Sequence, residues 1–144
     1  MALDITAANA IFTLTVPGLY NAPVTLQNFA TDHAWDTAEQ VCSESAMSID
    51  GYLNAGWVPT PVDQTIVLSA ASDSVLVFEA ILAAQQTARA LYRLGAEITL
   101  QSTGRKYTLV NGVLHALAAM PSAGRMLADR RFSVRWQAVY PAGV

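Results

Sequence analysis

Arg131-Phe132-Ser133-Val134-Arg135-Trp136-Gln137-Ala138-Val139-Tyr140 alternates apolar and polar side chains over most of its length. A period of two predicts a strand with Phe132, Val134, Trp136, Ala138 and Tyr140 on the core face. Arg131, Ser133, Arg135 and Gln137 then face the other way. Upstream, Pro121-Ser122-Ala123-Gly124 reads as loop and Val113 to Met120 as a strand. Asn111-Gly112 marks a bulge or tight bend before that strand. Lys106 to Val110 and Glu97 to Gln101 flank Ser102-Thr103-Gly104 and form an expected hairpin.

One helix is expected, from about 74 to 94. Ser72, Asp73 or Ser74 supplies its N-cap and Gly95 its C′ position. Phe78, Ile81, Leu82, Ala88, Leu91 and Tyr92 recur at helical spacing and predict a core-facing stripe. Before the helix the period of two returns. Ile11 to Val16 stops at Pro17-Gly18, and Val24 to Phe29 follows Asn21-Ala22-Pro23. Thr31 to Ala38 is anchored by Trp35. Val41 to Ile49 and Tyr52 to Trp57 flank Asp50-Gly51, a strong hairpin-turn signal. Pro59 and Pro61 end that hairpin before the strand at Gln64 to Ala70. Short strands without a repeated βαβ alternation predict a mainly β fold, an antiparallel β-sandwich or barrel with one packed helix.

The chain is short of charge, with 53% hydrophobic residues and 13% charged ones, where an average domain carries about 25% charged. Some surface is therefore expected to be covered by a membrane or by protein. The longest apolar stretch, Val75 to Leu94, is interrupted by Glu79, Gln85, Gln86, Thr87, Arg89 and Arg93, so it does not read as a membrane span. Met1-Ala2-Leu3-Asp4 lacks the basic start of a secretory signal. Cys42 is the single cysteine, which fits a reducing compartment, and it reads as a small buried hydrophobe. Protein contact is the remaining expectation.

Charge is also segregated along the chain. The first 80 residues hold nine acidic residues and no basic one, whereas the last 64 hold eight basic and two acidic. Halves of opposite sign invite complementary contact, within one copy or between copies placed head to tail.

No catalytic constellation emerges. His33 with Asp32 and Asp36 lacks a second nitrogen or sulfur ligand at metal-binding spacing, and His115 reads as a structural histidine in an apolar strand. There is no G-x-S-x-G elbow and no phosphate-cradling glycine motif. Alternation sets Arg135 opposite Trp136, so a base-stacking nucleic-acid groove is not expected. The residues predict no enzyme, no cofactor and no metal.

Several stretches resemble, in order, the tail tube proteins of contractile-tailed bacteriophages. They are Leu14 to Gly18, Asn21 to Ala30, Ser48 to Pro61, Gln64 to Leu68, the helix, Gly104 to Leu114, and the closing strand to Pro141-Ala142. The resemblance covers nearly the whole chain, 1–144, as a single tail-tube domain. It implies a structural virion protein in homohexameric rings, stacked into a hollow tube through which phage DNA passes without specific binding. It also implies sheath, tape measure and baseplate partners, a virion tail location and assembly in the host cytoplasm, with no membrane. An inter-ring hairpin is expected at 43–61, with Asp50, Gly51, Tyr52 and Trp57 at the stacking contact. Arg105, Lys106, Arg131 and Arg135 are expected at charge-complementary contacts. The alternatives are a lipocalin-like β-barrel holding a small ligand, and a tail-completion or baseplate relative of the tube protein.

Overall fold

The computed structural model describes residues 10–30 and 33–143. Along the chain run β1 (Ala10–Val16), β2 (Tyr20–Thr25), β3 (Trp35–Thr37), β4 (Ser43–Met47), β5 (Leu53–Trp57) and β6 (Val62–Leu68). Then come α1 (Val75–Ala88), β7 (Leu94–Leu100), β8 (Arg105–Leu117), β9 (Arg130–Trp136) and β10 (Ala138–Gly143). The main sheet has the order β2-β1-β7-β8-β9-β6-β3, with β10 also on β8, and every pairing is antiparallel. Among the described residues β4 and β5 pair only with each other. Pro23 in β2 and Pro141 in β10 sit in strands with one partner each among the described residues, the edge positions to which proline is confined in sheets.

The sheet doubles back on itself at one corner. The first part of β8 lies between β7 and β10, and its last part pairs with β9. Asn111 takes a left-handed φ of 51° there, and its side-chain amide bonds to Gln137 on the facing strand. On both strands the inward residues step by two as far as Gly112 and Trp136. They then step by three, to Leu109 and Val139. Bending both strands together carries the ladder from one layer to the other without a gap. Opposite the corner, the segment after β2 bridges the layers. Leu26 N–H donates to Phe12 O at 2.8 Å, and Phe29 forms an isolated bridge with Leu68.

Phe12, Leu14, Ile66, Leu68, Phe132, Val134 and Trp136 fill the space between the layers. Phe12, Phe29 and Trp35 close one side as edge-on and tilted rings with centroids 5.6–6.4 Å apart. α1 covers the core through Val75, Val77, Phe78 and Ile81. Phe78 stacks on Phe132 with centroids 4.3 Å apart, which fixes the helix over β9. Ser74 occupies the N-cap position, yet its hydroxyl accepts from Gln27 N–H at 2.8 Å and leaves the helix uncapped by a side chain.

Several expectations are corrected. The helix expected to reach 94 ends at Ala88, because Arg89 turns left-handed with φ 52° and Leu94 is drawn into the β7 ladder. Gly95 is thus a strand residue opposite Thr15, and Leu91, expected in the core stripe, is exposed. Tyr140, expected inward, is exposed because the corner changes the inward parity after Trp136. His115 is exposed at a register shift between Leu114 and Ala116. Cys42, expected buried, is exposed as well. Asp32, weighed as a ligand beside His33, lies outside the described residues.

Candidate assembly surfaces

The pair β4–β5 is the outer end of a longer ribbon. Its root is the β3–β6 ladder, with Trp35 opposite Ile66 and Thr37 opposite Gln64. The ladder goes on beyond the main sheet, with Ala38 N–H donating to Asp63 O at 2.9 Å and Val58 N–H to Cys42 O at 3.3 Å. Pro59 and Pro61 have no N–H to give between these rungs. Side chains take over there. Gln40 Nε2 donates to Thr60 O at 3.0 Å, and Thr60 Oγ1 donates to Val41 O at 2.9 Å. At about 3.3 Å per residue, the ribbon extends on the order of 30 Å from the body.

Its tip is closed by Ser48. Gly51 N–H donates to Ser48 O at 3.0 Å, and Gly51 takes φ 92°, a conformation that favours glycine. Ser48 N–H donates to Tyr52 O at 2.8 Å, and Ser48 Oγ donates to the same oxygen at 2.9 Å. Asp50 and Gly51 thus stand at the turn and Tyr52 follows it, as expected from the sequence.

Every residue of β4 and β5 is exposed. Their register sets Met47 opposite Leu53, Ser45 opposite Ala55 and Ser43 opposite Trp57 on one face. Glu44, Ala46, Asn54 and Gly56 share the other. Trp57 is 79% exposed and Tyr52 70%, with Met47, Ile49 and Leu53 also exposed. A row of large apolar side chains held in water by a hydrogen-bonded ribbon is the mark of a contact surface. Glu39, Glu44 and Asp50 along it have no ion pair among the described residues.

The basic residues divide into two groups. Lys106 pairs with Glu97 at 3.2 Å, and Arg135 with Asp63 at 2.7 Å. These two of the four expected contact residues are therefore engaged within the chain. Arg105 and Arg131 are exposed and without an ion pair among the described residues. Arg130 is the residue that strand reading overlooked. It is 5% exposed, donates to Glu79 Oε1 and to Ala118 O at 3.1 Å each, and lies over the Phe132 ring. It shares the parity of Phe132, Val134 and Trp136, which was the available signal. Part of the charge segregation is thus internal, because Arg130–Glu79 and Arg135–Asp63 join the two halves.

Two further features bear on contact. A cleft of about 340 Å³ opens between the layers at the root of the ribbon, lined by Trp35, Val62, Ile98, Leu100, Tyr107 and Leu109 among others. The outer edge of β10 is unpaired among the described residues. No described helix is long and apolar enough to cross a membrane.

The chain matches the family described as tail fiber protein gp32 over residues 3–140. A sequence search of curated proteins finds no match. Among solved structures, the fold is similar to a chain in the extended sheath/tube terminator of an extracellular contractile injection system, with TM-score 0.65, 11% identity and 99% of each chain covered. It is also similar to a chain of the anti-feeding prophage baseplate, with TM-score 0.60, 12% identity, and 100% of this chain and 99% of that one covered. A chain of the extended sheath–tube complex of an extracellular contractile injection system gives TM-score 0.61 and 13% identity, over 98% of this chain and 93% of that one. At such identities the likeness is one of fold. It agrees with the mainly antiparallel β-sandwich with one helix expected from the sequence.

Proposed function

We propose that the chain, which belongs to the family described as tail fiber protein gp32, is a structural component of a contractile phage-like tail and a ring-forming subunit of its tube. In this reading six copies close into a ring, rings stack into a hollow tube, and phage DNA passes along the lumen without being held. Sheath, tape measure and baseplate proteins are its partners, and assembly takes place in the host cytoplasm. Its role is mechanical rather than enzymatic.

The observation that carries the reading is the exposed ribbon. A lone domain gains nothing by holding Met47, Ile49, Tyr52, Leu53 and Trp57 in water, whereas a stacked ring buries them. The edge of β10 that is unpaired among the described residues supports lateral growth, since it offers backbone groups for a neighbour's strand. Low charge fits a subunit most of whose surface is covered. A heterologous contact of this kind closes into rings when its rotation allows.

Negative-stain microscopy of the purified chain tests this. Rings or tubes are expected, and a monodisperse monomer at high concentration would overturn the reading. A second reading is a ring at the end of the tail, favoured by the likeness to a baseplate chain and to a chain of the cap that terminates the anti-feeding prophage tube. It predicts single rings that do not polymerise.

A further inference from the structure

The ribbon has a counterpart at the other end of the molecule. β9 runs the length of one layer, from Arg130 opposite Leu68 to Trp136 opposite Val62. The ribbon leaves at the Val62 end. The connection from β8 to β9, residues 118–129, lies at the other, about 20 Å away at the rise of a seven-residue strand. This loop is braced by its own hydrogen bonds. Gly124 N–H donates to Met126 O at 3.1 Å, Ala128 N–H donates to Ser122 O at 2.9 Å, and Ala123 bridges to Leu127. Within it Met120 is 74% exposed, Met126 83% and Leu127 58%. Arg125 and the adjoining Arg131 are exposed and have no ion pair among the described residues, and Asp129 is the loop's one acidic residue.

The two exposed apolar elements are therefore opposite in charge and in position. The ribbon carries Glu39, Glu44 and Asp50 with no basic residue, while the loop and the start of β9 carry Arg125 and Arg131. Because they lie at opposite ends of one layer, a copy cannot join them to each other. A second copy displaced along the strand direction can. We propose that the β4–β5 ribbon of one copy docks on the β8–β9 loop of the next, a second copy of this chain. Met47, Leu53 and Trp57, which share one face of the ribbon, meet Met120, Met126 and Leu127, and Asp50 at the tip faces Arg125 and Arg131. Methionines suit this role, since their flexible thioethers adapt to an aromatic partner such as Trp57. Matched charge at the rim fixes the direction of stacking. The proposal rests on the tube reading and deepens it by naming the receiving surface.

Charge reversal and cross-linking in the full-length chain test it. Asp50→Arg and Arg125→Glu are each expected to raise the concentration needed for tube formation at least tenfold, and the double variant to recover most of the loss. Ser45 lies on the docking face of the ribbon, opposite Ala55, and is exposed. In a chain carrying Cys42→Ser, Ser45→Cys and Met126→Cys, a short bis-maleimide should therefore link the ribbon thiol of one copy to the loop thiol of the next and give a ladder of covalent multimers. Tubes that form without the ladder, or that tolerate Arg125→Glu while Trp57→Ser abolishes them, would overturn the proposal and leave the tube reading standing. Absence of both rings and tubes in the unmodified chain would overturn both. A ribbon that docks on a different tail protein would leave the purified chain without the ladder, which also counts against the proposal.

Discussion

Gly112 lies flat against Trp136: a Cβ built on it would fall 2.6 Å from Cζ3 of the indole. Trp136 is fully buried, and its Nε1 donates to the buried Gln64 Oε1 at 3.0 Å, so the ring has no freedom to retreat. This contact sits at the corner where β8 and the β9–β10 pair cross between layers.

Gly112→Ala should therefore destabilise the fold. Overpacking of a filled core costs about 1–3 kcal/mol. Urea unfolding followed by tryptophan fluorescence should show a lower midpoint, with the slope unchanged. An unaltered midpoint would mean that the corner relaxes freely, contrary to the close contact.

The Arg130–Glu79 pair predicts an asymmetry. Arg130 is buried and Glu79 is 42% exposed, so the two deletions differ. Glu79→Ala leaves a buried guanidinium with only Ala118 O and the Phe132 face. Arg130→Met leaves a carboxylate that water reaches, and places an apolar stem over Phe132. Glu79→Ala should be the more damaging, by about 1–2 kcal/mol. Equal losses in chemical denaturation would sink this ordering.

Arg135 and Lys106 should matter little to assembly. Each is partly exposed and already paired within the chain. Such pairs contribute about 0–1 kcal/mol. Arg135→Ala should shift the melting temperature slightly and leave the assembled fraction unchanged in sedimentation, whereas Arg131→Glu should reduce it.

Trp57→Ser separates folding from assembly. The side chain is 79% exposed and outside the core, so the melting temperature of the unassembled chain should stay the same. Light scattering of concentrated protein should nevertheless fall at least tenfold. A large loss of folded-state stability would show that Trp57 packs within its own chain.

Much of the fold was legible because alternation is a local signal. Phe132, Val134 and Trp136 are buried where the period of two places them, Asp50-Gly51 turns the ribbon, and Asn111-Gly112 marks the bend. Positions that depend on distant partners were not. Helical spacing extended through Tyr92, yet Leu94 pairs with Gly112 and Gly95 with Thr15, and those ladders end the helix early. Cys42 resembles a core residue by type. It is exposed because its ribbon leaves the sheet.

The sequence by itself determined that this is an antiparallel β protein with one helix, scarce charge and acid and base set apart along the chain. Hydrophobic period and composition are properties of neighbouring residues and need no partner. Only the tertiary structure decided which charges are already spent: Lys106, Arg130 and Arg135 are paired inside the chain, while Arg105, Arg125 and Arg131 have no ion pair among the described residues. It also decided that Tyr140 faces outward and that the acidic ribbon and the basic loop lie at opposite ends of one layer. Each of these follows from strands far apart in the chain being brought side by side, which no local pattern encodes.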